Sequence, residues 1–248
     1  MAASTDSTID PAEVERFSRI ADEWWDPHGK FAPLHRLNPT RIGWIRDRIA
    51  GHWQRDAVGE RPLHGLSLLD IGCGGGLLGE PMARLGAAVT GLDASARNVA
   101  VADLHARRQG LDVTYREGAA ETEALSGARY DVVLALEIVE HVADVELFLG
   151  ACARLVKPGG LLFVSTLNRT AKAWGLAIVG AEYVLGWLPR GTHDWRRFLK
   201  PAEVVAPLRA AAIDVREIVG VVYSPLGRGW SIHPRDLDVN YMLYGVAR

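Results

Sequence analysis

The amino-acid sequence predicts an α/β protein, a doubly wound and mostly parallel sheet of seven strands preceded by a helical extension. Three observations carry this reading. Short apolar runs alternate with helical patterns from about Leu66 onward, the rhythm that βαβ units impose on a chain. A glycine cluster (Gly72, Gly74, Gly75, Gly76) closes the first run, where open parallel sheets receive their ligands. An acid, Asp93, closes the second run.

Taken in order, Asp10 before Pro11 is a helix-starting pair. Val14, Phe17, Ile20, Ala21 and Trp24 then recur at helical spacing, so a helix is expected from Pro11 to Trp25. The Pro- and Gly-punctuated stretch 26–39 reads as a loop, 40–53 as a second helix and 55–65 as a linker. Residues 1–65 are thus read as a helical extension and 66–248 as the core domain. Within the core, strands are expected at LSLLDIG, AVTGLD, DVTYRE, YDVVLAL and LLFVST, with helices after the glycines, over Ser95–Gln109 and over Val145–Val156. An apolar segment near Trp174–Leu188, a helix from Pro201 and closing strands at 213–222 and 240–247 complete the chain.

At 248 residues, nearly half of them hydrophobic, the chain can bury a full core. A formal charge of −2 gives no field that would draw nucleic acid, so no nucleic-acid partner is expected. Cys73 and Cys152 form neither a disulfide framework nor a paired zinc spacing, which suits a reducing, cytoplasmic setting. The first residues lack the basic start and apolar run of a signal peptide. No apolar run approaches the roughly 20 residues of a spanning helix, so a soluble or peripheral protein is expected.

The glycine spacing narrows the ligand. In a dinucleotide fingerprint the third glycine would stand at position 77, which is Leu77. Gly72, Gly74 and Gly76 follow a Gly-x-Gly-x-Gly rhythm instead, which resembles the first motif of class I S-adenosylmethionine-dependent methyltransferases. A carboxylate at Asp93 can accept the hydroxyls of an adenosine ribose. Asp70, just before the glycines, either contributes to the ligand site or caps the next helix. Arg41 offers a guanidinium to a methionine carboxylate, or is a solvated helix charge. His35 and His193 are given no catalytic role, and Trp24 and Trp25 are read as helix packing. After the fourth strand, the Asn/Asp-Pro-Pro-aromatic motif of DNA amino-methylating enzymes is absent.

The chain also resembles the ubiquinone biosynthesis O-methyltransferase family over nearly its full length. The resemblance is carried by Trp24-Trp25-Asp26, the run Phe31–Arg41, Leu69–Gly76, Glu137–His141 and Ser165–Arg169. It continues in Val179–Tyr183, Gly191–Trp195 and Asp238–Met242. It implies O-methylation of polyprenylated hydroxyphenols and demethylubiquinol, with cofactor contacts at Arg41, Gly72, Asp93 and Leu136 beside Asp70 and Gly74. Other enzymes of ubiquinone synthesis become candidate partners. The alternatives are methylation of another small phenol or lipid, and binding of the cofactor without catalysis.

Glu137, Glu140 and His141 stand at i, i+3 and i+4. If a helix begins there, two carboxylates and an imidazole share one face, a donor set that suits Mg²⁺. The resemblance points the same way, since eukaryotic members are understood to bind a metal at the matching triad. Glu140 and His141 are the residues expected to be catalytic, and without a metal His141 alone takes the phenolic proton. A plain helix start, acids meeting the macrodipole, is the structural alternative. Finally, Lys172–Leu188, inside an insertion at 167–200, carries Trp174, Ile178, Ala181, Leu185 and Leu188 between basic residues. It is read as an interfacial helix for peripheral membrane contact or as a buried lid.

Overall fold

The computed structural model describes residues 7–175, 194–224 and 229–248. Eight strands, β1 (Ser67–Ile71), β2 (Ala88–Asp93), β3 (Val113–Glu117), β4 (Tyr130–Leu136), β5 (Val156–Leu167), β6 (Ile213–Ser224), β7 (Gly229–His233) and β8 (Asn240–Ala247), form one sheet. Its order is β3-β2-β1-β4-β5-β8-β6-β7. The first five run parallel; β8 joins β5 antiparallel, and β6 and β7 continue antiparallel to the edge. The order reverses at β1, so the carboxyl ends of β1, β2 and β4 open onto a crevice at the switch point.

The expected seven strands become eight. β7 pairs with the end of β6 as an edge hairpin. It is short and glycine-led, in a stretch bounded by Pro225 and Pro234 that reads as loop.

Alternation along β4 shows how the sheet is covered. Val133 and Ala135 face one core with Phe148, Leu149 and Leu155 of α6 (Val145–Arg154) and its end, and Val204 and Leu208 of α7 (Pro201–Ala210). Val132, Leu134 and Leu136 face the other, with Trp44, Ile45 and Ile49 of α2 (Ala32–His52) and Met82 of α3 (Gly79–Arg84). Side chains at period two therefore bury both faces, as a sheet sandwiched by helices requires.

Two boundaries at the amino end differ from expectation. Helix α1 spans Pro11–Arg19 only, capped by Asp10 accepting from the Ala12 amide at 3.0 Å, and a single 3-10 turn (Ala21–Glu23) follows. The stretch read as a loop is largely helix, because α2 starts at Ala32. Pro33 is harmless in its first turn, where the amide has no partner anyway, and Pro39 is carried inside the helix. Helix α4 (Ala96–Arg108) begins at its Ser95 cap as read, while α5 (Ala120–Leu125) is a short helix the periodicity does not announce.

Candidate active site

A cleft opens at the carboxyl edge of β1, β2 and β4, with α1 across its mouth. Gly72, Gly74, Asp93, Glu137 and His141 all border it. Arg41, Asp70, Leu136 and Glu140 do not; they are buried behind its wall.

The glycines are imposed by geometry. Gly72 and Gly74 have φ of +70° and +53°, where a side chain is strained. A Cβ at Gly72 would overlap Ile138, and at Gly74 the indole of Trp24. The two tryptophans thus do more than pack the helix they were assigned to. Trp25 Nε1 donates to the Gly75 carbonyl at 2.8 Å, and Trp24 Nε1 donates to Asn98 Oδ1 at 3.0 Å. Asn98 in turn donates to Asp93 Oδ1 at 3.1 Å, so the aromatic segment, the glycine loop and the acid form one network.

Asp93 also accepts from the Gly74 amide through Oδ2 and from the Ser95 amide through Oδ1, each at 2.9 Å. Burial raises its pKa, and these bonds oppose the rise. Asp70 is held differently. Burial pushes its carboxyl up to about 7 against the opposing charge of Arg41.

Arg41 is buried and not solvated. Its guanidinium reaches Asn38 and, at 3.4 Å, Glu137 Oε1. The same oxygen accepts from Ser165 Oγ at 2.8 Å and Asn240 Nδ2 at 3.1 Å. Glu137 itself has φ +54°, so the chain leaves β4 in a left-handed turn and then makes one 3-10 turn, Val139–His141.

That turn corrects the expected metal arrangement. No helix begins at Glu137, so the i, i+3, i+4 spacing does not place the three side chains on one face. Glu137 engages Arg41, Ser165 and Asn240; Glu140 accepts from Thr166 Oγ1 at 2.9 Å; His141 Nδ1 lies 2.9 Å from Glu13 Oε2. Among the described residues no three His, Cys, Asp or Glu side chains converge as metal donors, so the residues as arranged do not fit Mg²⁺. Burial, then the charge of Glu137, raises the pKa of Glu140.

Sequence reasoning gave no role to Glu13, Asn98, Ser165, Thr166 or Asn240. Ser165, Thr166 and Asn240 lie in two of the stretches that carry the resemblance, and Glu13 is an acid four residues before Phe17 on an amphipathic helix, which reads equally as a complement to the helix dipole. His35 bonds the Trp24 carbonyl at 2.8 Å, away from the cleft lining, and His193 lies outside the described residues. So do Ile178, Ala181, Leu185 and Leu188 of the proposed interfacial helix. The Lys-Pro-Gly-Gly stretch begins β5, and Lys157 pairs with Asp131 at 2.9 Å.

The fold and this cleft define a class I S-adenosylmethionine-dependent methyltransferase. A methyltransferase-domain family model matches residues 69–164. Magnesium protoporphyrin IX methyltransferase from Synechocystis with bound SAM superposes with a TM-score of 0.66 at 18% identity, covering 100% of both chains. The form with bound SAH gives 0.63 at 21%, covering 96% of this chain and 95% of that one. The chain belongs to the ubiquinone biosynthesis O-methyltransferase family. It is 56% identical to the member from Brucella anthropi over 98% of both chains, and 55% identical to that from a Chelativorans species over 96% of this chain and 93% of the relative.

Proposed function

We propose that the protein methylates the phenolic oxygen of polyprenylated catechols and of demethylubiquinol in ubiquinone synthesis, with His141 as the base. The observation that carries the reading is a single cleft bordered both by Gly72, Gly74 and Asp93 and by His141. S-adenosylmethionine, when bound, supplies a methyl group on a sulfonium that departs as a thioether.

Asp93 would accept a ribose hydroxyl, with Gly72 and Gly74 giving the ligand access to backbone. Phe17, Ile138 and Phe148 give the cleft an apolar wall that excludes water from an aromatic ring. His141 takes the phenolic proton. With Nδ1 turned to Glu13, the accepting lone pair is that of Nε2, and the oxygen's electron pair forms the new C–O bond. Glu140, buried and bonded to Thr166, holds the turn that presents His141. Arg41 balances Glu137 in the cleft wall.

No step is routed through magnesium, since its three expected ligands engage three separate partners. The test is turnover with S-adenosylmethionine against a short-chain prenylated catechol and its unprenylated parent, with and without excess chelator. Methylation favouring the prenylated ring, retained in chelator and lowered about 100-fold or more in His141→Ala, is expected. Loss on chelation restored by Mg²⁺ would overturn the metal-free mechanism, and cofactor binding without turnover would favour the noncatalytic reading.

Peripheral membrane contact near 172–188 belongs to the same proposal. Among the described residues no helix is long and apolar enough to cross a membrane. Trp174 is 52% exposed, which supports an interfacial role, whereas Lys172 is paired with Asp236 and Asp238 and Arg169 with Glu203. Binding should therefore rest on apolar contact more than on anionic headgroups. Co-sedimentation with vesicles should survive moderate salt and fall in Trp174→Glu; no retention at low salt would refute it.

A further inference from the structure

We propose that Glu13 is a positioning residue for His141, so that the base is complete only while helix α1 is seated over the cleft. The inference rests on the reading of His141 as the proton acceptor and assigns its orienting partner.

Helix α1 brings two groups to the imidazole. Glu13 Oε2 lies 2.9 Å from His141 Nδ1. Phe17, one turn further along, meets the imidazole edge-on, with centroids 5.3 Å apart and planes at 80°. Residues four apart share one helix face, and Glu13, Phe17 and His141 all border the cleft. A carboxylate on one ring nitrogen fixes the tautomer, leaves the lone pair on the other, and stabilises the imidazolium that forms when the proton arrives.

Two guanidinium groups face the same carboxylate: Arg16 lies 2.6 Å from Oε2 and Arg197 3.9 Å from Oε1.

Other contacts seat the helix and are independent of the imidazole. Asp10 pairs with Arg197 at 2.7 Å, Thr8 Oγ1 donates to Glu121, and the Ala143 amide donates to the Thr8 carbonyl at 2.8 Å. Ser18 Oγ lies 2.6 Å from Oγ of Ser95, whose amide bonds to Asp93. One short helix therefore touches the cofactor side of the cleft through Ser18 and the base through Glu13. A purely anchoring Glu13 would duplicate what Asp10 and Thr8 already do.

The experiment compares Glu13→Gln, Glu13→Asp, Asp10→Asn and His141→Ala in the full-length protein. Each is assayed on a prenylated catechol and on the same ring bearing a nitro group, whose acidic phenol needs little help from a base. Glu13→Gln should lower kcat on the plain catechol about 10- to 100-fold, while SAH affinity and KM for the cofactor stay within about twofold. On the nitro ring the deficit should shrink to a few-fold, Glu13→Asp should recover part of the loss, and Asp10→Asn, which only loosens the seat, should show a smaller deficit with the same dependence on the ring. Equal loss on both rings, or a parallel fall in SAH affinity, would make Glu13 an anchor and overturn the proposal. Full catechol activity in His141→Ala would instead remove the base assignment itself. Loss in His141→Ala with none in Glu13→Gln would remove only the positioning role. Melting curves identify any variant that fails to fold, and Glu13→Asp, which keeps the charge, then carries the comparison.

Discussion

Asp93→Asn isolates the acid at the end of β2 with almost no change in volume. A carboxylate offers about four acceptor positions. In the ligand-free protein three donors already use it, the amides of Gly74 and Ser95 and the side chain of Asn98. Unless the loop shifts, one position remains, on the oxygen facing Gly74, so the ribose can gain one charge-assisted bond and not the two that a free carboxylate would provide. One such bond is worth about 1.5 to 3 kcal/mol, or roughly 10- to 150-fold in affinity. Asparagine also turns its amide toward one of the resident donors whichever way it is flipped. The fold should lose stability too, by about 1 to 3 kcal/mol for an unsatisfied buried donor. Calorimetric titration with S-adenosylhomocysteine, at a temperature where the variant's melting curve shows it folded, gives the first number and the melt gives the second. Unchanged affinity in a folded variant would remove Asp93 from the site, and a loss well beyond about 1000-fold would refute the one-bond count.

Two further outcomes follow from the same region. Gly74→Ala places a Cβ at a φ of +53° against the Trp24 indole, and should cost about 1 to 3 kcal/mol in chemical denaturation along with much of the SAH affinity; a variant as stable as the parent would show that Trp24 is not fixed on the loop. Asp70, pushed up to about 7 by burial, keeps a proton that the unfolded chain releases near its ordinary value of 3.8, so its contribution to stability should fall as pH rises between those values and level off above; Asp70→Asn should flatten that dependence, and denaturation at several pH values would refute this if the difference between the two proteins did not change.

The fold was legible because its signals are periodic. Runs of period two bury both faces of β4, and the helix caps at Asp10 and Ser95 stand where their types demand. What escaped is structure that breaks periodicity for a local reason. Helix α2 passes through Pro39, a residue that sequence logic treats as a stop. The hairpin strand β7 is five residues long and is recognisable only once β6 is beside it. Proline and glycine report what the backbone prefers in isolation, and in both places neighbouring packing decided otherwise.

The site was legible to a different degree. Glycines at positive φ and an acid at a strand end are dictated by backbone geometry next to a ligand, so they can be read from spacing alone. The cluster after β4 cannot, because its meaning depends on one dihedral. With helical backbone at Glu137, the carboxylates and the imidazole would share a face; with φ at +54° they part, Glu137 toward Arg41 and Asn240, Glu140 toward Thr166 and His141 toward Glu13. A left-handed glutamate is costly, of order 1 kcal/mol or more, and here Ser165 and Asn240 bind its side chain while the Ser165 carbonyl accepts its amide at 3.1 Å. Those partners come from β5 and β8, far away in sequence. The turn that presents His141 to the cleft is thus fixed by the two strands that pair antiparallel behind it, and the helix that brings Glu13 to the imidazole comes from the amino end of the chain.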